Sequence, residues 1–329
     1  MPSNAKALVT GVAGFIGSNL ARELLRRGYE VVGLDNLCHG FIRNVAPLMG
    51  DPRFRFVRGD VRDRACVRDA ARGARFIVQL AALKIPRYGS ALDTLLVNSQ
   101  GTQNVLEAAR EFGCKVALAS TSDVYGKNPE LPFREDSALV MGSPTIKRWS
   151  YAVSKLFDEH LCLAYHAEHG VPVAIMRYFG SYGPNQNLTW WGGPQSVFIS
   201  AALADRPMLI HGDGQQTRSF TYVSDTVAGT LLCLEKPESV GEVLNIGQTT
   251  EITILDLARL VWRLAGRGEP KLEFVPYSTF GKYEDVPRRV PDISKARRLL
   301  GFEPRVGLEE GLSLTIAWQR DILSREKAT

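Results

Sequence analysis

The sequence predicts an α/β fold, a Rossmann-type doubly wound parallel sheet joined to a smaller mixed α/β substrate-binding domain. Two observations carry this. Short apolar runs alternate with longer amphipathic stretches through the first half of the chain. A glycine-rich turn, Gly11-Val12-Ala13-Gly14-Phe15-Ile16-Gly17, follows the first apolar run and opens the first amphipathic stretch. Strands are expected at 7–10, 30–34, 54–57, 76–80, 116–120 and 173–177, and helices at 17–27, 64–71, 93–112, 150–169 and 195–203. After Arg177 the texture changes. Gly183-Pro184-Asn185 and Gly192-Gly193-Pro194 mark 180–195 as a long loop. A short strand at 208–210, a turn at Gly212-Asp213-Gly214, a helix from Asp225 and another at 254–264 follow, and the Pro- and Arg-rich stretch 266–294 reads as substrate-facing loop. The expected division is a cofactor-binding domain at 1–178, with part of 213–250 returning to it, and a substrate-binding domain at 179–329.

Composition narrows the function. The 329 residues are 45% hydrophobic and 23% charged, an ordinary balance for a globular protein with a substantial core. Forty basic residues against 35 acidic ones give a net charge of +5, scattered and without basic runs interleaved with aromatics. Nucleic acid is therefore not the expected partner, whereas a phosphate-bearing small molecule suits the charge. Five dispersed cysteines with no CxxC read as reduced thiols, and no stretch is apolar enough for a membrane span. The chain runs straight into a strand, leaving no room for a signal peptide, so a cytoplasmic location is expected.

The glycine turn carries the cofactor expectation. Its glycines permit a tight turn and let backbone N–H groups approach a pyrophosphate at a helix N-terminus. Asp35 ends the second strand, where a carboxylate can accept from both adenosine-ribose hydroxyls. Asn36 follows it, with no arginine to pair a 2′-phosphate, which favours NAD over NADP. Asp60-Val61, after the third strand, is in reach of an adenine, and Asp60 also reads as a helix N-cap. In Ser150-Tyr151-Ala152-Val153-Ser154-Lys155, Tyr151 and Lys155 share one helix face a turn apart. An ammonium beside a phenol favours the phenolate, making a tyrosine usable as a base near neutral pH.

Together these pieces resemble the extended short-chain dehydrogenase/reductase family of nucleotide-sugar epimerases, dehydratases and decarboxylases. The motifs that carry the resemblance, in family order along nearly the whole chain, are Gly11/Gly14/Gly17, Asp35-Asn36-Leu37-Cys38, Leu80-Ala81-Ala82-Leu83-Lys84, Asn98, Ser120-Thr121-Ser122-Asp123-Val124-Tyr125-Gly126, Tyr151/Lys155 and Arg177-Tyr178-Phe179. Asp35–Cys38 and Leu83-Lys84 look most like UDP-galactose 4-epimerase. The segment from Gly142-Ser143 to Lys147-Arg148-Trp149-Ser150-Tyr151, and Arg288-Arg289-Val290-Pro291-Asp292, look more like UDP-glucuronate decarboxylases and apiose synthases.

The resemblance implies a catalytic set of Thr121, Ser122, Asp123, Tyr151 and Lys155. It implies that NAD is held by Gly11, Gly14, Phe15, Ile16, Gly17, Asp35, Asn36, His39, Gly40, Asp60 and Val61. Leu80, Ala81, Ala82, Lys84, Asn98, Ser120, Tyr151, Lys155, Tyr178 and Phe179 complete that set. A UDP-sugar would meet Lys84, Thr121, Tyr151, Gly180, Asn187, Arg218, Asp285 and Arg289, with Arg218 and Arg289 gripping the diphosphate. The chain departs from the family at Gly180 (usually Asn), at Asn185 in Gly183-Pro184-Asn185 (usually Arg), at Gln79 (usually His) and at Asp123, one methylene short of the decarboxylase and dehydratase Glu.

The implied reaction removes the sugar's C4 hydrogen to NAD while Tyr151 takes the hydroxyl proton. A 4-epimerase follows if the 4-keto sugar turns over before reduction, a decarboxylase if it bears a 6-carboxylate, a dehydratase if C5 is deprotonated. Leu83-Lys84 and Asp35–Cys38 tip the expectation to a UDP-sugar 4-epimerase. A rival of another class, a non-catalytic NAD-sensing protein, is disfavoured because Thr121, Tyr151 and Lys155 are all intact. His166 and His169 have metal-ligand spacing but no third ligand, so no metal is expected. Trp190-Trp191 reads as a base stack, a lid or a dimer contact. The helices at 93–112 and 150–169 resemble those of the family's four-helix interfaces, which implies a homodimer.

Overall fold

The computed structural model describes residues 5–84, 89–282 and 284–328. Along the chain, β1 (Lys6–Thr10) is buried on both faces, with Ala7 and Val9 in one core cluster and Leu8 in another. Alternate side chains of a strand point to opposite faces, so helices must cover both sides. α1 (Phe15–Arg26) follows at once and buries Leu20, Ala21 and Leu24. Each buried leucine contributes about 1.5–3 kcal/mol. β2 (Glu30–Asp35), α2 (Ile42–Val45), β3 (Phe54–Arg58), α3 (Arg64–Ala71) and β4 (Phe76–Gln79) continue the alternation. Asp63 caps α3, accepting from the N–H groups of Ala65 and Cys66. α4 (Ala91–Phe112), β5 (Lys115–Thr121), α5 (Trp149–His169) and β6 (Val173–Tyr178) come next. Both long helices stop at a left-handed glycine, Gly113 and Gly170.

Beyond β6 lie β7 (Ser181–Tyr182), α6 (Pro194–Leu203), β8 (Met208–His211), β9 (Thr217–Ser219), β10 (Thr221–Tyr222) and α7 (Val223–Glu235). Then come β11 (Glu242–Ile246), β12 (Glu251–Thr253), α8 (Ile254–Leu264), β13 (Leu272–Val275), α9 (Ser294–Leu300) and α10 (Leu308–Ala328). The main sheet has seven parallel strands in the order β11-β6-β5-β4-β1-β2-β3. α1 and α7 cover one face, and α3, α4 and α5 the other. A separate cluster joins α6, α8 and α10 around Met208, Ile210, Phe220 and Trp262.

The expected strands and helices of the first half are present, with ends moved by one or two residues. Three features of the second half were not expected. β11 completes the sheet beside β6, with Val243↔Ile175 and Leu244↔Met176 in register. Within 266–294, read as loop, β13 pairs in parallel with β8. Its Glu273 and Phe274 are exposed, so no apolar alternation announces the strand. α10 has only a sparse apolar stripe, with Leu312 and Ile316 buried among polar neighbours.

In the main sheet the chain leaves β1 for β2 on one side and later returns to β4 on the other. At such a reversal the loops after the strands diverge and leave a crevice at the strands' C-terminal ends.

Candidate active site

A cavity of about 600 Å³ fills that crevice, a usual size for a small-molecule site. Gly11, Gly14, Phe15, Ile16 and Gly17 line one end. Gly11 has φ +67° and donates its N–H to the Leu34 carbonyl at 2.7 Å. A Cβ at Gly17 would run into the Gly11 carbonyl and stand 2.8 Å from Val12 Cα. Gly14 is the N-cap of α1, and no side chain caps the helix. The first-turn N–H groups are thereby left for an outside anion. Asp35, at the end of β2, accepts from the N–H groups of Ala13 (2.9 Å) and Leu37 (2.8 Å). Burial raises its pKa while those two bonds work against the rise. A cradle that excludes any Cβ, an uncapped helix start and a carboxylate at the next strand end fit a dinucleotide.

Asn36, His39, Gly40, Val61, Leu80, Ala81, Ala82, Lys84, Ser120 and Tyr178 also line the cavity, as the resemblance implies. Four expected cofactor residues do not. Asp60 accepts from Arg62 (2.8 Å) and from the Asn36 amide (2.9 Å), so it braces a lining residue instead of being one. Asn98 is fully buried, bonding the Leu83 N–H and carbonyl and the Ser154 hydroxyl, which ties the β4 loop to α5. Phe179 packs against Tyr125 in a small core cluster. Lys155 is 2% exposed, and its ammonium contacts the fully buried Asp158 carboxylate at 2.9 Å.

That last pairing corrects a reading of Tyr151. The neighbouring ammonium was expected to lower the phenol's pKa. Burial and the Asp123 charge push it up instead, with the Thr121 hydrogen bond acting in the lowering direction. Lys155 gives its charge to Asp158.

Tyr151, in the first turn of α5, faces the cavity together with Thr121 and Ser122. The Thr121 hydroxyl accepts the Asp123 N–H at 3.2 Å. Ser120 donates to Glu159, which also holds Arg177 through two nitrogens, Nε at 3.0 Å and Nη2 at 2.7 Å. Asp123 is the hub of the charged wall: Arg289 stands 2.8 Å and Arg148 3.4 Å from Oδ1. Asp285 takes Arg148 and Arg218, each at 3.0 Å, and the Tyr277 hydroxyl at 2.6 Å. Burial would raise both carboxyls, yet the surrounding guanidinium groups hold each below its usual range. Asp285, expected to touch substrate, lines the cavity, with Oδ1 held by the two arginines and Oδ2 by Tyr277. Asn187 lines the wall and binds Thr189.

Gly180 has φ +49°, and a Cβ there would run into the Ser219 carbonyl, so the family's asparagine has no room. Asn185 adopts φ +71°, which asparagine tolerates, and its amide donates to the Ser18 hydroxyl at 3.1 Å. The two tryptophans face the cavity from the same loop. Trp191 stacks on His39 (4.2 Å between centroids) and Trp190 on His211 (4.3 Å). Arg148, His211 and Tyr277 were not among the expected site residues. For Arg148 a signal exists: it lies three positions before Tyr151, the spacing of side chains on one helix face. His166 binds the Val171 carbonyl and His169 edges onto Tyr165, and among the described residues no cluster could hold a metal. Among the described residues no helix is long and apolar enough to cross a membrane.

Comparison with known proteins gives the family. Residues 8–315 match the GDP-mannose 4,6 dehydratase family. A UDP-N-acetyl-alpha-D-glucosaminuronate decarboxylase of Bacillus cytotoxicus is 37% identical over 321 residues, covering 96% of this chain and 98% of that one. UDP-glucuronic acid decarboxylase 1 of Xenopus tropicalis is 36% identical, covering 98% of this chain and 73% of that one. The crystal structure of a UDP-glucuronic acid 4-epimerase from Bacillus cereus, in complex with UDP-glucuronic acid and NAD, superimposes with a TM-score of 0.87 at 33% identity. It covers 96% of this chain and 99% of that one. The chain belongs to the GDP-mannose 4,6 dehydratase family of extended short-chain dehydrogenases/reductases, whose members named above are enzymes of nucleotide-sugar metabolism.

Proposed function

We propose that this protein holds NAD in the glycine-lined end of the cavity and acts on a UDP-linked uronic acid, oxidising C4 and letting the 4-keto sugar lose CO2. The observation that carries the reading is the charged wall. Three guanidinium groups face two carboxylates beside Thr121 and Tyr151. That surplus suits a ligand with a diphosphate and a further anion. The relatives named above include two decarboxylases of UDP-uronic acids, which supports the same substrate class. We take residues 1–178, with β11 and α7, as the cofactor-binding part and the rest as the substrate-binding part.

In this reading NAD, when bound, accepts and later returns the C4 hydrogen with its electron pair, and its positive ring favours the Tyr151 phenolate. Tyr151 takes the O4 proton, and Thr121 orients the hydroxyl by hydrogen bonding. The C5–C6 bond then breaks, CO2 leaves, and the electron pair passes into the C4 carbonyl. The negative oxygen formed there faces Thr121 and the now protonated Tyr151, both donors. C5 takes a proton from water, and Tyr151 returns its proton to O4 as C4 is reduced. The net change is one proton taken up and one CO2 released, with no oxidant consumed. Asp123, held ionised by its arginines, is a poor proton donor, which weighs against dehydration.

A second reading, 4-epimerisation, has the Bacillus cereus neighbour and the Leu83-Lys84 segment in its favour. One incubation with UDP-glucuronate decides. A product lighter by CO2 is the expected result. An unchanged mass with inverted C4 would make it a 4-epimerase, and no reaction with any UDP-uronic acid or with UDP-glucose would end both readings.

A further inference from the structure

We propose that Arg148 is the specificity residue that reads the carboxylate on the sugar, an inference that rests on a UDP-uronic acid being the substrate. Arg218 and Arg289 come from the chain beyond β6, Arg218 from β9 itself and Arg289 from the segment before α9. Arg148 comes from the other side, at the start of α5, three residues before Tyr151. Side chains at that spacing share a helix face, so Arg148 and the tyrosine base reach the cavity from one turn. Arg148 also stands against Asp123, two residues from Thr121. The hydroxyl handled by Tyr151 and Thr121 is on C4. The substituent on C5 is its next neighbour around the ring.

The guanidinium is built in. One nitrogen, Nη1, donates to the Glu284 carbonyl at 2.7 Å and to the Asp285 carboxylate at 3.0 Å. The group stacks over the buried Trp149 ring at 5.3 Å, and the Trp149 indole donates to Glu284 at 3.0 Å. An arginine fixed in this way loses little freedom when it binds, and its planar fork matches a carboxylate. The contact to Asp123 through Nη2, at 3.4 Å, is the longest of its ion pairs and the one nearest the reacting atoms. An incoming carboxylate competes for that nitrogen. Asp123 stays beside it, so the anchor's positive field is partly offset. It selects the acid without holding it against departure as CO2.

The test uses NAD-loaded protein carrying Tyr151→Phe, which keeps ligands unreacted, titrated calorimetrically with UDP-glucuronate and with UDP-glucose. Adding Arg148→Gln should weaken UDP-glucuronate binding about 30-fold, the scale of one lost charged hydrogen-bond pair. UDP-glucose, which lacks the acid, should change by about twofold at most, and Arg148→Lys should recover part of the loss. Equal weakening of both ligands would assign Arg148 to the diphosphate or to the fold and overturn the proposal. No weakening of either would overturn it too. If the protein with Tyr151 intact decarboxylates UDP-glucuronate while Arg148→Gln binds it normally, the inference alone fails. If the intact protein neither binds nor converts any UDP-uronic acid, the functional reading fails with it.

Discussion

Burial and the Asp123 carboxylate both hold the Tyr151 proton on, so the phenolate fraction and with it the rate should rise with pH. Replacing Asp123 by Asn removes one raising charge and takes from Arg289, which acts in the lowering direction on Tyr151, its 2.8 Å partner. Both changes lower the tyrosine pKa. The acid limb of the kcat/KM profile should therefore move to lower pH; a limb that stays put or moves up would show that Tyr151 does not feel Asp123. Tyr151→Phe should cut turnover by about a thousandfold, the scale of lost general-base catalysis, while NAD is still recovered from the denatured protein. Thr121 came only from the resemblance, whereas Tyr151 and the glycine turn were legible because their chemistry lies in local spacing. The direction of Lys155 was not, because Asp158 at i+3 competes for the ammonium and only packing decides where a buried charge points. The place of Asp60 behind the lining residue Asn36 was likewise not legible, since a side-chain contact between strand ends is not written in local spacing.

Among the elements, β5, α5 and β6 are locked together by Glu159, which joins Ser120 to Arg177 beneath the reacting groups. Arg177 also lies over the Tyr125 ring at 4.8 Å. Glu159→Gln leaves that buried guanidinium without its counter-charge, and breaking such a pair destabilises by about 3–5 kcal/mol. Urea unfolding should show the loss as a lower midpoint with an unchanged slope. The strands of the first half were readable because parallel strands buried on both faces are continuous apolar runs. β13 was not, because its outer residues are polar or exposed and its pairing with β8 spans some 60 residues of sequence. The loop before α6 was marked by its breakers and its tryptophan pair, but which side chains the tryptophans meet was not. Trp191 reaches across to His39, whose imidazole pKa is pushed down by burial and by the nearby Lys84 charge. Trp191→Ala removes that stack and should speed NAD release about tenfold, the scale of one aromatic pair. An unchanged release rate, followed with fluorescent NADH loaded in place of NAD, would remove the loop as a cover.

At the scale of the whole molecule, the exposed apolar side chains concentrate on the helices that flank the active site. Leu92 (64% exposed), Leu95 and Leu96 project from α4, and Val153 and Phe157 (53%) from α5. Val153 and Phe157 are four residues apart and share a face, and α4 packs beside α5. A two-fold dimer needs a self-complementary patch, and exposed apolar side chains on paired helices are a candidate for one. Two copies meeting through it would bring four helices together, in line with the homodimer that the resemblance implies. The consequence reaches the chemistry, because Tyr151 and Lys155 lie on the same helix as Phe157 and a partner packed on its outer face would stiffen the base from behind. Phe157→Glu puts a charge in the centre of that patch and should convert a dimer to a monomer in sedimentation, with far-UV circular dichroism unchanged. Its effect on turnover should be a loss of rate without a loss of NAD, since the cofactor end of the cavity is built from β1, α1 and β2 on the far side of the sheet order. A wild-type protein that already sediments as a monomer would remove the dimer, and a monomeric Phe157→Glu variant with full activity would show that α5 needs no partner to hold its tyrosine.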